Sequence, residues 1–203
     1  MKMNVNNDAM GNRISKTVIN KNMVTDKEKS VTTYYMCDLQ GNVLAVYEHK
    51  RGESGNGTFT LAEQHLYGAG RLGMRKRDLA LNATNTSETP ATYYELTNHL
   101  GNVMAVISDE ASTTDKPTIV SLSDYYPFGM EMGGRSYSAD EYRYGFQGQD
   151  RERELWGGEA SFFKYRISDN RLGRFFSVDP LSSKFPWNSS YAFSENKTND
   201  NEG

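Results

Sequence analysis

Cysteine is nearly missing from the 203 residues: Cys37 stands alone, so no internal disulfide can form. Its place between aromatic residues suits a small, half-buried apolar group on a strand. Histidine is scarce too. His49, His65 and His99 lie far apart, without cysteine companions or ligand spacing, so neither a metal site nor a cofactor is expected. Long apolar runs are absent: nothing nears the ~18 residues of a membrane span. Residues 1–24 are polar and Asn-rich and hold no apolar core of a secretory signal, so an export signal would belong to a longer parent chain. Charge of one sign is lacking as well. The 23 Lys+Arg against 26 Asp+Glu leave a net charge of -3, which draws the chain to neither nucleic acid nor an anionic membrane. The densest basic cluster, Arg71, Arg75, Lys76 and Arg77, reads better as a solvated face or turn than as a nucleic-acid patch. The Asn-x-Ser/Thr triplets beginning at Asn56, Asn82, Asn85, Asn188 and Asn196 read as chance.

What is present is aromatic. Apolar residues reach only 36%, below the roughly 45–50% of globular domains. Yet 13 Tyr, 9 Phe and 2 Trp, with 18 Gly, are the composition of strands joined by tight turns. The dipeptide Gly-Asn recurs at Gly11-Asn12, Gly41-Asn42 and Gly101-Asn102. The last two copies extend into a shared run, Tyr34-Tyr35 through Val46 and Tyr93-Tyr94 through Val106. This is a hairpin unit. An aromatic strand arrives, Asp or Asn opens the turn, Gly-Asn takes the positive-φ positions, and a strand leaves with Val43, Ala45 and Tyr47 alternating against Leu44 and Val46. One unit cannot bury its own apolar face, so units must join into a continuous sheet. Further strands are expected at Gln64–Tyr67, Ser123–Tyr126, Tyr142–Phe146 and Phe162–Arg166, one helical turn near Ser138–Tyr142, and loops at 50–58, 82–92 and 109–117. The expected fold is all-β: antiparallel hairpin repeats forming a curved open sheet or part of a β shell, with little helix and one continuous structural unit.

From residue 93 the motifs sharpen. Asn98-His99-Leu100-Gly101-Asn102-Val103 is followed by Asp124-Tyr125-Tyr126-Pro127-Phe128-Gly129 and Tyr142-Arg143-Tyr144-Gly145-Phe146-Gln147-Gly148. Next come Tyr165-Arg166 with Asn170-Arg171-Leu172-Gly173-Arg174-Phe175 and Ser177-Val178-Asp179-Pro180-Leu181, and last Ser189-Ser190-Tyr191-Ala192-Phe193 with Asn196. In this order they resemble the Rhs repeat-associated core of bacterial Rhs/YD-repeat proteins, a polymorphic toxin family, and the Gly-Asn hairpins resemble YD repeats. The resemblance divides the chain into degenerate YD-type hairpins (1–92), the core segment (93–196) and a tail (197–203). Pro127 sets up a tight turn before Gly129. Asp179-Pro180 marks a corner where the carboxylate is expected to face Arg171 or Arg174. The tail departs from the family: Asp200 falls in register, but Thr198 and Asn199 replace apolar residues, and the chain is expected to be a fragment without its C-terminal effector.

In such parents the repeats spiral into a hollow β shell, the core segment closes one end, and aspartates in the core cut a C-terminal toxin free. The resemblance therefore implies a structural, shell-closing module whose partners are the rest of the shell and the toxin, in an exported or cell-surface bacterial protein. Carried over by motif, Asp179 is the first candidate for self-cleavage, Asp200 the second and Arg174 their charge partner. A carboxylate pair with unlike proton affinities is what such acid–base cleavage needs. A turn-capping role for Asp179 weighs more heavily than catalysis, and a structural module or a displaced remnant more heavily than an enzyme. A third class is a surface glycan-binding or adhesion module, since aromatic faces stack on sugar rings; it would show as rows of Tyr and Trp on a solvent face. Trp156 and Trp187 are possible members of such rows.

Overall fold

The structure is a computed structural model that describes residues 2–21, 28–81, 91–110, 116–138, 142–152 and 159–196. Ten strands follow one another as a meander: β1 (Lys2–Asn7), β2 (Arg13–Lys21), β3 (Glu28–Cys37), β4 (Val43–Arg51), β5 (Gly57–Tyr67), β6 (Arg71–Ala80), β7 (Thr92–Thr97), β8 (Val103–Ser108), β9 (Thr118–Leu122) and β10 (Tyr137–Ser138). Strand order in the sheet equals order in sequence. A second sheet holds β11 (Asp150–Arg151), β12 (Ala160–Phe162), β13 (Ile167–Asp169) and β14 (Arg174–Phe175), antiparallel and again in sequence order. Among the described residues the only helical pieces are three-residue 3-10 turns. The all-β, open-sheet expectation holds.

The chain divides into two compact units, residues 1–94 with 108–115, and residues 95–107 with 116–203. In unit one, long β-branched and aromatic strands pair antiparallel from β1 to the start of β7. Val18, Tyr35, Val46, Leu61, Met74 and Tyr93 are buried. The alternation expected after Gly41-Asn42 breaks at one place. Ala45 and Val46 are both buried because the β4–β5 register shifts between Val46 and Tyr47. A bulge turns the strand, so adjacent residues both face packed surroundings. Gly73 lies hard against β7: at φ 151, a Cβ there would sit 1.8 Å from the Tyr93 carbonyl oxygen.

The hairpin ends follow one plan. Residues 8–12, 38–42 and 52–56 in unit one, and 98–102 and 126–130 in unit two, form five-residue turns. The first N–H donates to the fifth carbonyl, the fourth N–H donates back to the first, and the fourth residue is a glycine. Gly11, Gly41, Gly55, Gly101 and Gly129 take φ values of 84, 89, 83, 77 and 92. This corrects the expected role of Gly-Asn: glycine alone is left-handed, while Asn12, Asn42 and Asn102 close the turn just before the outgoing strand. The geometry is the three-residue loop with a glycine bulge, whose twist matches that of the strands. The 52–56 copy also shortens the loop expected at 50–58, since β4 runs to Arg51 and β5 starts at Gly57. Most of the other two expected loops, 82–90 and 111–115, lies outside the described residues, as do 139–141 of the expected helical turn.

Unit two is held by rings. Phe193 lies 5.3 Å from the Phe163 and Phe175 centroids, 6.2 Å from Phe146 and 6.4 Å from Phe128. The strand expected at Phe162–Arg166 is, beyond Phe162, the turn between β12 and β13, with the Phe163 N–H donating to the Arg166 carbonyl at 2.9 Å, and two further expected strands are turns as well. Ser123–Tyr126 contributes a single bridge, Tyr125 to Glu131, and Tyr142–Phe146 a single bridge, Tyr144 to Asp150. In both, the glycine turn that follows at once leaves no length for a strand.

Candidate functional site

The motifs that stand apart in the sequence interlock in unit two. The Phe128 ring lies against Gly173, where a Cβ would come within 2.7 Å of it, and the Phe146 ring lies against Gly129, where a Cβ would come within 2.5 Å. Asn170 is buried between them. Its Nδ2 donates to Ser161 Oγ at 2.8 Å and to the Gly129 carbonyl at 3.4 Å, while Ser168 Oγ donates to its Oδ1 at 2.8 Å. Asn102, freed from its own turn, accepts the Gln147 N–H at 2.8 Å. Each motif thus supplies a glycine face or a ring that another motif needs.

Around this lock lies a charged network. Arg151 meets Glu131 at 2.6 Å and donates to Tyr125 Oη at 2.9 Å and to Ser123 Oγ at 3.2 Å. Ser123 donates to Glu131 at 2.7 Å and Tyr125 to the Val103 carbonyl at 2.9 Å. Burial pushes the Tyr125 phenol up, and the Arg151 guanidinium opposes the shift. Asp169 accepts from Arg171 Nε at 3.0 Å and Nη2 at 2.7 Å, and from the backbone N–H of Arg171 and Leu172. The forked hydrogen bond from Arg171 holds this carboxyl below the usual range.

Asp179 sits at a corner, as its Asp-Pro sequence implies. Its N–H donates to the Ser190 carbonyl, and Oδ1 accepts the Leu181 N–H at 2.8 Å. Its cationic partner differs from the expectation. Oδ2 pairs with Arg166 Nη2 at 2.9 Å, while Arg171 is spent on Asp169 and Arg174 is exposed on β14. The reason is stacking. The Arg166 guanidinium lies 3.7 Å from the Phe175 ring centre, which holds it beside the corner. Arg166 Nη1 is buried with no hydrogen-bond partner among the described residues. The Asp179 side chain is 32% exposed, and each oxygen keeps acceptor capacity beyond its present bond. The structure therefore pairs Asp179 with Arg166, which the Phe175 ring holds, and not with Arg174. Asp200 and Trp156 lie outside the described residues. Trp187 is exposed and packs edge-on against Phe185 at 5.7 Å.

Arg166 was visible in the Tyr165-Arg166 motif, but nearness along the chain pointed to Arg171 and Arg174. The network of Ser123, Tyr125 and Glu131 with Arg151 had no signal in sequence, because Arg151 lies 20 residues beyond Glu131.

A sheet of glycine-turn hairpins in strict sequence order, joined to a ring-locked turn cluster, defines an all-β repeat protein. Solved structures of Tc toxin components share this fold. A Photorhabdus luminescens Tc holotoxin pore carrying an aspartate-to-alanine substitution in TccC3 matches 99% of the chain with a TM-score of 0.67 at 15% identity. A TcdB2–TccC3–TEV crystal structure matches 88% with a TM-score of 0.61, and a TcdB2–TccC3 crystal structure 97% with 0.54, both at 15% identity. The chain spans 8 to 10% of the length of these neighbours. No protein-family model and no curated protein matches it.

Proposed function

We propose that this chain is a structural module of a Tc/Rhs-type β shell, with unit two as the shell-closing core segment. The observation that carries the reading is the recurring glycine turn on a meander whose strand order never departs from sequence order. That pattern adds sheet one hairpin at a time and suits a wall rather than a catalytic cleft. The neighbours are far larger than this chain, which fits a module working within a longer wall. The test is to replace the stretch that this chain matches in the TcdB2–TccC3 shell with residues 1–203 and to co-express the shell components. The reading requires a chimera that folds and still assembles with its partner component; a chimera that folds but never assembles overturns it.

A second reading, aspartate-dependent self-cleavage, draws support from the Asp179 corner. A guanidinium clamped on Phe175 gives one arm to Asp179 and keeps a buried arm that a second carboxylate would complete. Asp200 is the candidate for that carboxylate, and Arg166 replaces Arg174 as the charge partner. Extending the chain beyond Gly203 with a family-type tail should then give a protein that splits on expression. Equal intact masses for the extended parent and its Asp179→Asn variant would end this reading.

A further inference from the structure

The glycine turns share a backbone but not the residue that follows them. Asn12 is followed by Arg13, Asn42 by Val43 and Asn102 by Val103, and each of these asparagines has its side chain tied. Asn12 and Asn42 donate to Asp8 and Asp38 at 2.9 and 2.8 Å, and Asn102 accepts the Gln147 N–H at 2.8 Å. The turn at 52–56 ends on Asn56 and is followed by Gly57, the one Asn-Gly pair of the chain. Asn56 is exposed, and no hydrogen bond holds its carboxamide among the described residues. Across the β4–β5 ladder Arg51 pairs with Gly57 and His49 with Phe59, so His49 and Gly57 share a sheet face. The His49 ring leans onto the glycine: its Nε2 fills the place that a Cβ on Gly57 would take. Phe59 meets the same ring edge-on at 6.0 Å and supports it there.

We propose that Asn56-Gly57 is a self-modifying site, at which the chain converts its own asparagine to an acid with His49 as the base. With no Cβ on residue 57, nothing on that residue screens its backbone nitrogen. This nitrogen attacks Cγ of Asn56 while its proton passes to His49 Nε2, whose lone pair is open when Nδ1 carries the ring proton. The N–Cγ bond forms, the Cγ–Nδ2 bond breaks, and His49 returns the proton to the departing ammonia, leaving a cyclic imide. Water opens the imide at either carbonyl, giving aspartate or isoaspartate. Isoaspartate routes the main chain through one extra carbon between the turn and β5. The Gly52–Asn56 closure and the Arg51–Gly57 register then no longer fit together. The reaction is independent of whether the chain serves as a shell wall.

Trypsin supplies an internal control, because residues 30–50 and 52–71 are neighbouring fragments with one asparagine each, Asn42 in the first and Asn56 in the second. The intact chain is incubated in neutral buffer, digested, and read by mass spectrometry with the aspartate and isoaspartate forms separated. The 52–71 fragment should gain the mass of an amide-to-acid exchange as two products, while 30–50 stays unchanged. His49→Gln, checked by circular dichroism for the parent's β signal, should slow the reaction at least about ten-fold in the folded chain. In urea, where local sequence alone sets the rate, it should change nothing. His49→Phe, which keeps a ring against Phe59 but carries no base, should slow the folded chain in the same way. Equal conversion of the two asparagines overturns the proposal. So do folded His49 variants that react as fast as their parent, or variants slowed just as much in urea.

Discussion

Val43 in unit one and Val103 in unit two each follow a Gly-Asn turn, and each gives its carbonyl to a tyrosine hydroxyl at 2.9 Å, Tyr67 in the first case and Tyr125 in the second. From there the two regions part. Tyr67 is 38% exposed and stacks beside His65, whereas Tyr125 also accepts a hydrogen bond from Arg151 inside a charged network. The turns part in the same way. Asp8 and Asp38 each close their own turn, accepting two backbone N–H groups and the side-chain amide of Asn12 or Asn42. Asn98 accepts the same two backbone groups, and Asn102 turns its carboxamide oxygen to Gln147 instead. One backbone device thus serves two ends: a self-contained turn in the hairpins, and a point of attachment in the ring-locked unit.

The comparison can be broken hardest at Phe193. Phe193→Ala removes the ring that four others touch and should cost about 3–5 kcal/mol, read as a lowered urea midpoint by tryptophan fluorescence. A cost under about 1 kcal/mol would mean that unit two does not depend on ring packing. In unit one the corresponding weak point is backbone. Gly73→Ala forces β6 away from the Tyr93 carbonyl and should cost roughly 2–4 kcal/mol, seen as faster amide exchange across β6 and β7. Asp169→Asn strips the forked anion from its turn, at about 2 kcal/mol near neutral pH. Its penalty should vanish as pH drops through the lowered Asp169 value, because the parent then loses the same charge. Arg166→Met leaves Asp179 without its cation and should cost about 1–2 kcal/mol, discounted because Asp179 is partly exposed. The smallest effect sharpens the turn comparison. Asn98→Asp should draw the Asn102 side chain back into its own turn, as at Asp8 and Asp38. The Gln147 amide would then lose protection worth about 1 kcal/mol by hydrogen exchange; unchanged exchange would show that the acid does not control where Asn102 points.

Much of this was legible in the residues. The aromatic strands, the Gly-Asn turns and the acceptor at Asp8, Asp38 and Asn98 follow from local chemistry, which a sequence displays directly. The turn at 52–56 escaped notice because Gly52 stands where the three Gly-Asn turns carry Asp8, Asp38 or Asn98, so the shared backbone had no shared side chain. The strand expected at Ser123–Tyr126 failed for the opposite reason: its aromatic content suits a strand, but Pro127 and Gly129 close the turn at once. At the Asp179 corner the aspartate was legible and its partner was not. Arg171 and Arg174 are nearer in sequence, yet Asp169 claims the first, and the Phe175 ring holds Arg166 where the charge is needed.

What the sequence determined by itself was the all-β hairpin architecture and the places where the backbone must reverse. Both depend on φ preferences and side-chain acceptors within five residues of one another. Which ring fills which glycine face and which arginine meets which carboxylate were decided only by tertiary structure. Those pairings join residues far apart in sequence, and each is a competition among several chemically equivalent partners that only packing resolves.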